Sequence, residues 1–275
     1  MNDTNLTSQN IYLNSDNASV SYNSAHKVFY FEYGINPASN INVLMGLTNF
    51  EMVNSMYNIG SNNNNITIET ATNTLSLDID RGNYSTTSLL IELNQRLADN
   101  EVYLGGLITV DFNEDNYVFR FSGNIQFNII SSSMETELGL SNQLPTGYLQ
   151  TYTATDVCYL GGDASVYIHL NNIGMYNINS QGQLSNVISK LNINVNFGNY
   201  VFYNSFGETN YFKINNNEIN YLEVQLTDHY GNTLELNGSK WSMVLTIHYQ
   251  YKRDEKEVFH LFNQPLDKKL KQEKK

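Results

Sequence analysis

The stretch INYLEVQLTDHYGNTLELNGSKWSMVLTIHYQY, residues 219–251, decides the fold class. Leu222, Val224 and Leu226 alternate with Glu223, Gln225 and Thr227, while Met243, Leu245, Ile247, Tyr249 and Tyr251 alternate with Val244, Thr246, His248 and Gln250. A period of two sends neighbouring side chains to opposite faces of an extended chain, so both runs read as half-buried strands. Between them, Asp228-His229-Tyr230-Gly231 and Asn237-Gly238 supply residues that accept the positive φ of tight reversals. Read alone, the stretch specifies a hairpin-like β unit with Trp241 just after its turn.

The same alternation recurs outward along the chain. Strands are expected over residues 27–35, with Phe29, Phe31, Tyr33 and Ile35 on one face, and over 41–53 after Pro37. Shorter runs follow at Ile66-Ile68, Leu75-Leu77-Ile79, Ile108-Val110-Phe112, Tyr117-Phe119-Phe121, Ile125-Phe127-Ile129 and Val166-Ile168-Leu170. Residues 191–197, LNINVNF, show the strictest period of two, with asparagines on the polar face. One segment reads as a helix, residues 85–98, where Leu89, Leu93 and Leu97 recur every four residues, Leu90 widens the stripe and Ser85 can cap the first amides. A further helical turn is expected at 133–138, stopped by Gly139. Ten or so short strands with one short helix point to an all-β antiparallel sandwich or jelly roll. The expected layout is a polar arm at 1–24, one β body at 25–251 with an elaborated loop at 130–165, and a charged tail at 252–275.

Composition bounds the function. A chain of 275 residues is long enough to remove roughly 75% of its unfolded surface from water. Cys158 is the sole cysteine, so no intrachain disulfide is possible. The first residues lack a basic, apolar leader and no run reaches the length of a membrane span, so folding in cytoplasm or nucleus is expected. The 43 asparagines and 20 tyrosines, with 15% charged residues, give an amide-rich surface suited to broad contact with other proteins; an AT-rich coding sequence produces the same bias. Residues 252–275 hold 8 of the 15 Lys/Arg and 5 of the 27 Asp/Glu, which leaves 7 basic and 22 acidic side chains, about −15, on residues 1–251. An acidic body repels phosphate backbones, so specific nucleic-acid binding is not expected. The tail reads as a solvated terminus or a contact for an acidic partner.

No phosphate-binding loop, G-x-S-x-G elbow or H-E-x-x-H pattern occurs. His26, His169, His229, His248 and His260 have no metal-ligand spacing, and His169 and His248 fall on the polar parity of strands. Cys158 has no basic neighbour in sequence and reads as a half-buried thiol. Asp78 with Asp80, and Asp111 with Asp115, are the paired carboxylates a hydrolase or a calcium site needs, though carboxylates beside turns are usually solvated. Trp241 with Tyr249 and Tyr251 could form a sugar-stacking platform, against the commoner role of a core or interface anchor. No catalytic, cofactor-binding or metal-ligating residue is assigned, and no enzyme activity or cofactor is expected.

Several segments, in order, resemble the penton (minor capsid) protein family of virophages, Polinton-type elements and related large eukaryotic double-stranded DNA viruses. Residues 50–59, FEMVNSMYNI, followed by Asn62, Asn63, Asn64 and Asn65, are similar to that family's F-E-I-P-N-S-F-Y-N-I segment, with Val53 in place of its proline. Residues 77–85, LDIDRGNYS, resemble the family's I-P-x-G-N-Y-T lead into a leucine-rich helix. Leu138-Gly139-Leu140, residues 161–168 (GGDASVYI) and the pattern L-x-D-x-x-G-x-x-L-x-L-N-G-x-x-W at 226–241 complete the set. The resemblance covers about residues 50–250. It implies a non-catalytic single jelly roll whose homopentamer closes the icosahedral fivefold vertex against major capsid trimers, with the terminal arms free to meet other minor capsid proteins. The alternative is a lectin-like sandwich that binds carbohydrate or a receptor.

Overall fold

The computed structural model describes residues 7–38, 41–140, 144–174, 177–178, 184–206, 209–214 and 218–251. In chain order the strands are β1 (Thr7–Asn14), β2 (Val20–Ser21), β3 (His26–Ile35), β4 (Ile41–Val53), β5 (Asn65–Thr70) and β6 (Thr74–Asp78). Helices α1 (Thr86–Asp99) and α2 (Glu101–Leu104) precede β7 (Ile108–Asn113) and β8 (Val118–Ser132), and α3 (Glu135–Leu138) precedes β9 (Leu149–Thr153) and β10 (Ser165–Leu170). The chain closes with β11 (Asn177–Ile178), β12 (Leu184–Ser185), β13 (Val187–Asn192), β14 (Tyr200–Asn204), β15 (Phe212–Ile214), β16 (Ile219–Thr227) and β17 (Trp241–Tyr251).

Two antiparallel sheets form the sandwich. One has the order β1-β17-β4-β14, with β15 also on β4; the other runs β13-β10-β16-β3-β2. Following the eight principal strands, the chain changes sheet at every step except from β10 to β13. That order is the double Greek key of a jelly roll. The inward faces meet in one apolar cluster, to which β16 gives Leu222, Val224 and Leu226 and β17 gives Met243, Leu245 and Ile247.

The two runs quoted at the outset are therefore strands, but they are not a hairpin. They lie in different sheets and face one another across the core. Both expected turns form: Asp228 Oδ1 accepts from the amides of Tyr230 and Asn232, each at 2.8 Å, and Asn237 and Gly238 take φ of 49° and 80°. Between them, Leu234 and Leu236 are buried. These apolar side chains draw the connection over the end of the sandwich, which a two-stranded hairpin offers no core to accommodate.

Residues 54–164, between β4 and β10, build a further sheet outside the sandwich, β6-β5-β8-β7 with β9 on β8. It has its own cluster, in which Leu89, Leu93 and Leu97 of α1 pack with Ile66, Ile68, Val110, Phe119, Phe121 and Phe127. Helix α1 begins where expected: Ser85 Oγ accepts from Ser88 N at 3.1 Å and Ser88 Oγ accepts from Ser85 N at 2.9 Å. The short turn α3 ends at Gly139, whose φ is 71°.

Four expectations differ from the structure. The expected elaborated loop at 130–165 is only part of an inserted β body that starts near residue 54 and that contains the short helix α2 beside the expected helix and helical turn. Thr7–Asn14 is not a free arm but strand β1 along β17, with Ile11 and Leu13 buried; two apolar residues among polar ones are a weak signal without the partner strand. Residues 191–197 are not one strand, because β13 ends at Asn192. Beyond it Ile193 and Val195 still pack on the core, while Asn54 Nδ2 donates to Val195 O at 3.0 Å and draws the chain toward β14. The two runs flanking Gly123 form the single bent strand β8, with a register shift between Ser122 and Phe127. The tail at 252–275 lies outside the described residues. No helix among the described residues is long and apolar enough to cross a membrane.

Candidate assembly interface

The residues first weighed for chemistry are scattered and structurally engaged. Trp241 is 2% exposed; its Nε1 donates to Ser24 O at 2.9 Å and its ring lies 6.0 Å from that of Phe29 and 6.4 Å from that of Phe50. It is a core residue and offers no face to a sugar. Tyr249 packs against the same core and donates to Gln9 Oε1 at 3.0 Å. Tyr251 pairs with Ile41 at the end of β17. Asp78 accepts from Asn65 Nδ2 at 2.6 Å, and Asp80 meets Arg96 at 2.8 Å. Asp111 and Asp115 are exposed, on β7 and the turn after it. No group of three His, Cys, Asp or Glu able to hold a metal ion occurs among the described residues. Burial pushes the Cys158 thiol above its ordinary range.

His169 and His26 instead end a side-chain network on the outer face of the second sheet. His26 Nε2 lies 2.8 Å from Glu223 Oε1, Asn171 Nδ2 donates to Glu223 and Gln225, and Asn186 Nδ2 donates to Asn171. His169 closes the far end on Asn186 at 2.7 Å and Thr227 at 2.9 Å. Burial pushes the Glu223 carboxyl up, but hydrogen bonds from His26 and Asn171 outweigh it and hold the group below the ordinary carboxylate range. His248 lies 2.7 Å from the Tyr211 hydroxyl, His229 stacks on Tyr230, and His260 lies outside the described residues.

A cleft of about 360 Å³ opens where the inserted body meets the jelly roll, lined by Asn63, Glu137, Tyr159, Asp163, Asp228 and Tyr230 among others. Burial raises the Glu137 carboxyl, although Asn63 Nδ2 donates to it at 2.5 Å. Burial also raises Asp163, helped by the charge of Asp228 and opposed by His229. Nothing in this arrangement pairs a nucleophile with a base.

What the surface does present is two unlike flanks. On the first, β14 is the edge of its sheet, with Tyr200 69%, Phe202 60% and, just beyond, Phe206 88% exposed. Tyr57 stacks on Phe197 beside them, ring centroids 5.8 Å apart. Asn54 N donates to Asn199 O at 2.8 Å and Ser205 N to Thr48 O at 3.0 Å. In an antiparallel ladder alternate residues carry the bonds, so the backbone groups of Tyr200, Phe202 and Asn204 point away from β4. Among the described residues no strand occupies that side. The connection from β13 to β14 spans only residues 193–199, which places the β13 edge of the other sheet on the same flank.

On the second flank, β1 is the opposite edge of the first sheet, and five residues lead from it to β2 and then β3. Tyr30 stacks near Tyr221 with centroids 5.5 Å apart, and Tyr33 and Tyr12 are almost fully exposed. The β2 cover is two residues long and Ser19 Oγ accepts from Tyr30 N at 3.0 Å, so among the described residues no strand covers β3 beyond Tyr30. Sequence reading missed the first flank, although the alternation Tyr200, Phe202, Asn204 against Val201, Tyr203 was available as a signal.

Fold and surface together define an antiparallel jelly-roll sandwich, with a β body inserted between its third and fourth principal strands and two exposed aromatic flanks. No family model matches the chain, and no curated protein matches it. Among solved structures, the chain is similar to the mavirus penton protein at 13% identity, covering 88% of this chain and 100% of that one with a TM-score of 0.45. A chain of the Sputnik virophage is similar at 10% identity over 90% of this chain and 98% of that one, TM-score 0.42.

Proposed function

We propose that this chain is a structural virion protein, the penton (minor capsid) subunit, whose homopentamers occupy icosahedral fivefold vertices and contact neighbouring major capsid trimers. The observation that carries the reading is the pair of unlike exposed flanks on one jelly roll. A closed ring needs a patch of each copy to meet a different patch on the next. The ordered resemblance of residues 50–250 to the penton family supports the same reading. The role requires no catalysis, and its site of action is the virion, after folding in host cytoplasm or nucleus. The lectin-like alternative loses one of its motivating features, since Trp241 is buried.

Negative-stain images of the purified protein, with particle classification at capsid vertices, test this. Fivefold rings are expected, each junction burying on the order of 1,500 Å² or more. A stable monomer with no density at fivefold positions overturns it.

A further inference from the structure

We infer that copies of this chain associate head to tail through oppositely charged flanks, the β13–β14–β15 flank of one lying against the β1–β2–β3 flank of the next. The pairing deepens the vertex reading, which supplies only the number of copies in the ring.

The described residues of the first flank, 184–206 and 209–214, hold Lys190 and Lys213 and no acidic side chain; Glu208 is the one acidic residue of 184–214 in sequence. Both lysines are exposed, and neither makes an ion pair among the described residues. Two of the body's seven basic residues thus sit on strands that carry no described carboxylate, in a body of about −15, with Glu51 of β4 opposite Phe202 as their acidic neighbour. On the second flank Glu32 is exposed, and Glu218 is exposed just before Ile219, which pairs with Ile35 at the end of β3; neither makes an ion pair among the described residues. Lys27 is the only basic residue of 7–38, against Asp16 and Glu32.

Charge then selects between the contacts that these aromatic flanks could make. A twofold contact of the first flank sets lysines against lysines, and one of the second sets glutamates against glutamates. The head-to-tail contact sets Lys190 and Lys213 against Glu32 and Glu218, while Tyr200 and Phe202 meet Tyr30 and Tyr33 as aromatic anchors. The β14 edge also offers the backbone groups of Tyr200, Phe202 and Asn204, and β1 and β14 carry none of the charges by which sheet edges are commonly kept apart.

The test uses the full chain and exposed residues whose replacement leaves the core intact. Lys190→Glu with Lys213→Glu, and separately Glu32→Lys with Glu218→Lys, should each weaken self-association roughly tenfold or more by sedimentation velocity. All four changes together should restore it to near the original value. Phe202→Asp should abolish association whatever the charges. Carbodiimide cross-links between copies should join Lys190 or Lys213 to Glu32 or Glu218. A chain that stays monomeric at its highest soluble concentration, four-fold variants that fail to recover, or cross-links within like flanks overturn the inference. Rings of five indifferent to every variant overturn the flank pairing and leave the vertex reading standing; charge-dependent rings of another size do the reverse.

Discussion

The side chain of Asn58 closes on the backbone of Tyr84 from both sides: its Oδ1 accepts from Tyr84 N at 2.8 Å and its Nδ2 donates to Tyr84 O at 2.7 Å. The same Nδ2 donates to Leu160 O at 2.9 Å, and Asn58 is buried. Three segments distant in sequence thus converge on one amide at the root of the inserted body. This explains why the segment at 50–59 and the Gly82-Asn83-Tyr84 turn occur together: one supplies the amide, the other the backbone it grips. Asn58→Ala leaves a buried N–H and two carbonyls without partners. The expected cost is about 2–4 kcal/mol by chemical denaturation, with faster hydrogen exchange in 59–84 than in β17. A loss under about 0.5 kcal/mol would show that the grip is dispensable.

Trp241→Ala should destabilise by about 3–5 kcal/mol, because a ring packed between Phe29 and Phe50 leaves a cavity. Trp241 is the only tryptophan, so iodide quenching reads its surroundings directly. Little quenching is expected in the native state, and strong quenching by iodide contradicts the core placement.

Leu13→Ala should cost about 2–5 kcal/mol, since Leu13 on β1 is buried in the sandwich core. Deleting residues 7–14 should leave β17 with an open edge and lower the melting temperature sharply. Unchanged melting after that deletion would return the segment to the status of an arm.

The junction cleft should respond to acid. Glu137 and Asp163 have folded pKa values raised above their ordinary 4.5 and 3.8. The stability that each contributes is therefore full below those ordinary values and is lost as pH rises through the raised ones. Asp163→Asn should raise the melting temperature at neutral pH, with a gain that shrinks to nothing below about pH 3.8, the ordinary value for aspartate. Glu137→Gln should act the same way about its own range while keeping an acceptor for Asn63. Lower melting of Asp163→Asn at neutral pH contradicts the sign.

Gly139→Ala should cost about 1–3 kcal/mol. The glycine has φ of 71°, and an added Cβ would press on the Asp156 carbonyl. A neutral effect by thermal melting would indicate a backbone free to shift there.

The sequence was most legible where one residue's environment is set by its near neighbours. The α1 stripe of Leu89, Leu93 and Leu97 with its Ser85 cap, and the alternation of β16 and β17, were readable because helix and strand periods are local. Which sheet each strand joins was not. Leu234 and Leu236 decide that β16 and β17 face each other rather than pair, and their burial depends on the core the whole chain builds. The 191–197 run misled for the related reason that a period of two does not say where a ladder partner ends. The alternation around Tyr200 and Phe202 marks a strand, but that Tyr200, Phe202 and Tyr33 form exposed flanks follows from edge position, a property of sheet order.

The register of β1 on β17 sets Thr7 beside Tyr249. At the other end of that strand, Trp241 lies by Ser15 and Ser24, on the side where β4 gives way to the inserted body at residue 54. The molecule consequently has two poles: one is the root of the insertion, and at the other lie Thr7 of β1 and Tyr251 of β17, the first and last described residues. A tag joined before residue 7 and one joined after residue 251 would report from the same pole. In any ring built from such subunits, every insertion would stand on one rim and every pair of terminal connections on the other.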